Sequence, residues 1–115
     1  MMKPVKFMSQ WGKEYKVVFV KNTYANNGQL YIGCLNEDED YGGWEPYCDI
    51  TVNLNAALIG ENYGYIDVNN GDPKLFALMK RKGWIAETGF YGGSGFCSYP
   101  MVEFSEEFLK MLDAN

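Results

Sequence analysis

A chain of 115 residues is long enough to bury one core and too short for two, and at 47% hydrophobic and 17% aromatic content it is not a disordered chain. The formal net charge is −5, and there is no histidine, which excludes Ser-His and Cys-His nucleophiles, histidine metal sites and histidine pH switches. Cys34, Cys48 and Cys97 are odd in number and widely spaced, so they predict free thiols in a reducing cytoplasm rather than a disulfide framework.

No apolar run approaches the roughly 20 residues of a membrane span, and the charged start Met1-Met2-Lys3-Pro4-Val5-Lys6 lacks the apolar stretch of a secretory signal. The expectation is therefore a single soluble domain over residues 1–115. Through Lys21 the chain carries five lysines against one acid, Glu14; from Asn22 to Pro73 it carries no Lys or Arg. If the acids of that middle stretch share a side, they create a negative surface.

In chain order, Val5–Met8 and Tyr15–Lys21 read as strands, the second rich in β-branched and aromatic residues. Asn26-Asn27-Gly28 marks a turn, because Asn-Gly tolerates positive φ, and Gln29–Leu35 is its hairpin partner. Tyr47–Leu54 alternates as one strand with Ile50, Val52 and Leu54 on the core side, and Tyr63–Val68 is a shorter strand. Asp72-Pro73 opens a helix to Lys82, closed by Lys80-Arg81-Lys82-Gly83 with cations at the negative dipole end. Trp84–Phe90 and Phe96–Phe104 are strands flanking a flexible turn, Tyr91–Gly95, and Pro100 predicts an edge or a bulge. Ser105 caps a last helix to Asp113 with Phe108, Leu109 and Leu112 on its apolar stripe. This order predicts an α+β fold: a mainly antiparallel sheet of five or more strands with two helices packed on one face. Val18, Val20, Ile32, Ile50, Val52, Leu54, Ile66, Leu78, Val102 and Leu112 are the expected interior.

Three blocks carry a resemblance: Glu45-Pro46-Tyr47 leading into Thr51-Val52-Asn53-Leu54; Tyr65-Ile66-Asp67-Val68-Asn69-Asn70; and Thr88-Gly89 followed by Ser94-Gly95-Phe96-Cys97-Ser98-Tyr99-Pro100 and Phe104. In this order, over roughly the last two-thirds of the chain, they resemble a family of small bacterial domains of unknown function associated with plasmids, conjugative elements and phages. The resemblance implies a basic residue after Thr88-Gly89; Phe90 stands there, which weakens an anion-binding reading of that turn.

Candidate sites can be weighed residue by residue. Asn36, Asp38 and Asp40 have the alternate spacing of a calcium loop, but Tyr41 and Tyr47 stand where its Gly and bidentate Glu belong, so no metal is expected. The Gly89–Gly95 run feeds a strand rather than a helix and lacks the Lys of a phosphate cradle. Trp11, Trp44, Tyr24, Tyr41 and Tyr91 lie near turns, where aromatics can form a binding surface but in a small domain more often lid the core. The leading expectation is a non-enzymatic accessory or interaction protein whose acidic surface meets a basic protein partner. Its candidate binding residues are Glu37, Asp38, Glu39, Asp40, Asp67, Asn69 and Asn70, with no catalytic residues, metal or cofactor; the resemblance adds a mobile-element setting. The alternative is a nucleic-acid-associated module using Lys74, Lys80, Arg81 and Lys82. A third reading is an enzyme using carboxylates such as Asp49 and Asp67.

Overall fold

The computed structural model describes residues 2–38, 40–54 and 59–113. Among the described residues eight strands and two helices follow in the order β1 (Val5–Met8), β2 (Glu14–Thr23), β3 (Leu30–Glu37), β4 (Trp44–Asp49), β5 (Thr51–Val52), β6 (Tyr63–Ile66), α1 (Pro73–Arg81), β7 (Ile85–Ser94), β8 (Cys97–Phe104) and α2 (Glu106–Asp113). The fold is α+β and its strands pair antiparallel, as the element order predicts. They divide between two four-stranded sheets, β1-β2-β3-β4 and β5-β6-β8-β7.

The division arises at Ile50. The expected continuous strand Tyr47–Leu54 begins earlier, at Trp44, and bends at Ile50 into β4 and β5. The Ile50 amide donates to the Ile32 carbonyl of the first sheet (2.9 Å), while the Ile50 carbonyl accepts the Asp67 amide, next to the second (3.0 Å). The Thr51 hydroxyl takes the Ile32 amide at 3.1 Å. A buried backbone must place every polar group, and at this corner the two sheets share the task. Because of the bend, Val52 is half-buried, and Leu54 joins a small apolar cluster with Tyr65 and Tyr99, separate from the main core.

Both helices feed the main core. Leu75, Phe76, Leu78 and Met79 are the buried side of α1, and Phe108 and Leu109 that of α2. Phe108 stacks on Trp84 (centroids 5.1 Å apart) and on Phe104 (6.0 Å) and meets Phe19 edge-on at 5.5 Å. These are the offset and edge geometries that aromatic quadrupoles favour. Of the expected interior, Val20, Val52 and Leu112 are only half-buried; the other seven are buried.

The helix ends are as expected. The Asp72 side chain accepts from the Lys74 amide at 2.9 Å, and the Ser105 hydroxyl accepts from the Phe108 amide at 3.1 Å. The run Tyr91–Gly95 differs: Tyr91 to Ser94 belong to β7, and only Gly95 and Phe96 connect it to β8. A bulge does occur, between Glu87 and Tyr91, where the Thr88 hydroxyl donates to the Met101 carbonyl at 3.0 Å and accepts from the Phe90 amide at 3.2 Å. Pro100 pairs with Tyr91 just past it, one residue before Met101, the first residue of β8 that pairs with β6.

Candidate functional site

The β3–β4 hairpin holds the acidic candidates. Asp38 binds its own loop: its Oδ1 accepts the amides of Asp40 (2.9 Å) and Tyr41 (3.2 Å), and its backbone exchanges hydrogen bonds with Gly42 and Gly43. Glu37 lies 3.5 Å from Lys16 on the adjacent β2. Glu45 accepts from the Asn36 amide group at 3.2 Å. A hollow of about 160 Å³ is lined by Lys13 and Lys16 together with Glu14, Glu37, Asp38, Asp40 and Glu45. The counter-charge missing from the local sequence is thus supplied by the neighbouring strand. Glu39 lies outside the described residues. Asp40 and Glu45 remain exposed, beside Tyr41 at 90% exposure.

Asp67, Asn69 and Asn70 form the turn that leaves β6. Asp67 is buried; its Oδ1 accepts the Asn70 amide at 3.2 Å, and its carbonyl takes the Gly71 amide at 2.9 Å. Asn69 and Asn70 are exposed. Asp67 is therefore engaged in building the approach to α1. No hydrogen bond among the described residues joins this turn to the acidic hairpin.

A polar corner that sequence reasoning did not assemble lies where β3 meets β5. The Tyr31 hydroxyl donates to Asp49 at 2.7 Å, Tyr24 and Thr51 share a hydrogen bond at 2.9 Å, and the two tyrosine rings meet edge-on at 5.5 Å. Gly33 makes this possible: it is the cross-strand partner of Asp49, and a side chain there would strike the Tyr31 ring. Burial, then the bond to Asp49 and its charge, pushes the Tyr31 hydroxyl pKa well up. Burial likewise raises Tyr24, helped by the charges of Asp49 and Asp67 and opposed by its bond with Thr51. Asn53 continues the corner, accepting from Asn27 at 2.9 Å and donating to Asn26 at 2.8 Å.

Asp72 is a second such centre. Besides capping α1, its Oδ2 accepts the Gln10 amide (3.1 Å) and the Tyr47 hydroxyl (2.9 Å), while the residue is only 3% exposed. Its Asp-Pro setting signals the cap but not the two distant donors. Asp49, Asp67 and Asp72 are thus each engaged in hydrogen bonds within the fold, and among the described residues no group of three or more His, Cys, Asp or Glu side chains is placed to hold a metal.

The cations gather on another face. A hollow of about 500 Å³ between β1 and α1 is lined by Lys6, Lys74, Arg81 and Glu14, with Phe7, Met8, Ala77 and Leu78. A neighbouring one of about 730 Å³ shares Lys6 and Leu78 and adds Lys3, Lys82, Trp84 and Met111. Lys82 lies over the Trp84 ring at 5.5 Å. Lys80, one of the four expected helix cations, is turned away and paired with Glu87 at 2.7 Å. Lys3 and Lys6 lie some seventy residues before α1 in the chain, and nothing local to them signals that they join it.

The aromatics near turns do not all lid the core. Trp11, Tyr41 and Tyr91 are exposed, as are Phe90 and Phe96 on the β7–β8 hairpin. Trp44 and Tyr24 are half-buried, Trp44 against the main core. No helix among the described residues is long and apolar enough to cross a membrane.

No curated protein and no solved structure is significantly similar to the chain. Residues 19–115 match the family described as domain of unknown function (DUF4313), and the chain belongs to that family.

Proposed function

We propose that the protein is a non-enzymatic binding module that holds a nucleic acid backbone against the face formed by β1 and α1. One observation carries this reading: Lys3, Lys6, Lys74, Arg81 and Lys82 line two adjoining hollows in which, among the described residues, Glu14 is the one carboxylate. Exposed charges are screened beyond about 8–10 Å at moderate ionic strength, so this local cluster governs contact with phosphates more than the net charge does. Cations that neutralise phosphates release counterions, which supplies sequence-independent affinity. The resemblance of the sequence blocks to domains from plasmids, conjugative elements and phages supports a bacterial mobile-element setting.

A second reading keeps the acidic hairpin as a surface for a basic protein. Its support is the exposure of Asp40, Tyr41 and Glu45 at the hairpin. Against it stand Lys13 and Lys16, which line the same hollow, and the engagement of Asp38 with its own loop.

Fluorescence anisotropy of labelled single- and double-stranded DNA at two salt concentrations separates the readings. The parent should bind at low salt. Lys6→Glu with Arg81→Glu should abolish binding, and milder Lys6→Gln should lower the salt slope by roughly 0.7–0.9 for each phosphate that is no longer neutralised. Asp40→Asn with Glu45→Gln should leave DNA binding intact. Absence of binding by the parent, or binding indifferent to charge reversal, ends the nucleic-acid reading. Slower capture of a basic test protein by the hairpin variant would then favour the second.

A further inference from the structure

Cys34 and Cys48 lie directly opposite each other on the paired strands β3 and β4. Opposed residues of an antiparallel pair have Cα atoms about 4.5–5.5 Å apart, inside the range of about 4.4–6.8 Å that a disulfide spans. Both are free thiols; Cys34 is 1% exposed, and Cys48 is half-buried and so reachable from solvent. Pairing continues past them through a register shift between Cys34 and Leu35, which leaves Pro46 opposite Leu35.

We propose that Cys34 and Cys48 form a reversible dithiol site that a hydroperoxide oxidises to a cross-strand disulfide, with Cys48 reacting first and Cys34 resolving it. The Cys48 thiolate attacks the outer oxygen of the hydroperoxide: an S–O bond forms, the O–O bond breaks, and the departing alkoxide takes a proton to leave as an alcohol. The Cys34 thiol then attacks the Cys48 sulfur, losing its proton. The S–S bond forms, the S–O bond breaks, and water leaves. Two thiols give up two electrons in total, and the hydroperoxide is reduced to alcohol and water. The order follows first from access: Cys48 is half-buried and open to the hydroperoxide, whereas Cys34 is closed off in the core. The hydrogen bond from Cys34 lowers the Cys48 pKa, aided by the Asp72 amide and opposed by burial and by the charges of Asp49 and Asp72. That same bond, together with burial, raises Cys34. A thiolate is the nucleophile in such chemistry, and sensor cysteines pair a reachable thiolate with a neighbouring resolving thiol. Cys97 is exposed near the β7–β8 turn and serves as the internal control.

The test uses the full chain purified in reductant, desalted, and treated with stoichiometric hydrogen peroxide. Thiol titration in denaturant should fall from three to one, and non-reducing peptide mapping should find Cys34 joined to Cys48 with a loss of two hydrogen masses. Reductant should restore all three. Cys97→Ser should close the same bond at the parent's rate. Cys34→Ser should stop at a dimedone-reactive sulfenic acid on Cys48, and Cys48→Ser should lose the fast peroxide phase. Mapping of the parent alone decides the matter if a variant fails to fold. Oxidation confined to Cys97, a bond between Cys97 and either partner, or peroxide consumption no faster than that of an unfolded control would overturn the proposal.

Discussion

The Asp72 carboxylate serves three parts of the chain at once: the first turn of α1 through the Lys74 amide, the β1–β2 connection through Gln10, and β4 through Tyr47. Its replacement by Ala removes a cap worth about 1 kcal/mol and leaves the Gln10 amide and the Tyr47 hydroxyl without their acceptor, at about 1–3 kcal/mol more. Asp72→Ala should therefore lower unfolding stability by about 2–4 kcal/mol in urea titration, and Asp72→Asn, which keeps the capping oxygen, by less. Tyr31 makes a different prediction. Its folded pKa stands above the unfolded value of about 10, so the neutral phenol is favoured in the native state. That contribution is complete below about pH 10, where the unfolded phenol is also protonated. It is lost as pH rises towards the folded pKa, because the unfolded state then holds fewer protons. The urea midpoint of the parent should fall more steeply above about pH 10 than that of Tyr31→Phe; parallel curves would show that burial and the bond to Asp49 together do not favour the neutral form in the fold.

At the level of elements, the helices are the most legible parts of the sequence. Asp72-Pro73 with Lys80-Arg81-Lys82-Gly83 brackets α1, and Ser105 opens α2, because capping and dipole chemistry are local and written in adjacent residues. The hairpin marked by Asn-Gly is equally plain. The run Tyr91–Gly95 is not, since its glycines signal a turn by composition. Gly92 is instead a packing position in β7: an added Cβ would stand 2.6 Å from both Leu54 and Tyr65, residues far away in sequence. The alternation of Tyr47–Leu54 likewise conceals the bend at Ile50, because a change of sheet leaves the polar pattern intact and shows only in hydrogen-bond partners. Asp67 and Asn70 stand out in the sequence as polar residues at a strand end, and their role as a turn is the one that Asx side chains commonly take.

Over the whole molecule, charge is sorted by the fold rather than by the chain. Lysines near the start join α1 from the second half, while Lys13 and Lys16 cross to the acidic hairpin. Neither grouping can be read from residue order, since each depends on which strand lies beside which. The corner at Ile50 has a mechanical meaning. One residue carries hydrogen bonds linking it to Ile32 on one side and to Asp67 on the other, so neither sheet has a seam along which it can peel from its neighbour. Breathing motions that open one half must strain the other, and the molecule should melt as one cooperative body. Native-state hydrogen exchange in rising urea should then give the Ile50 and Asp67 amides the same opening free energy, equal to that of global unfolding. Earlier release of Asp67 would mean that the second sheet can swing loose while the first stays closed.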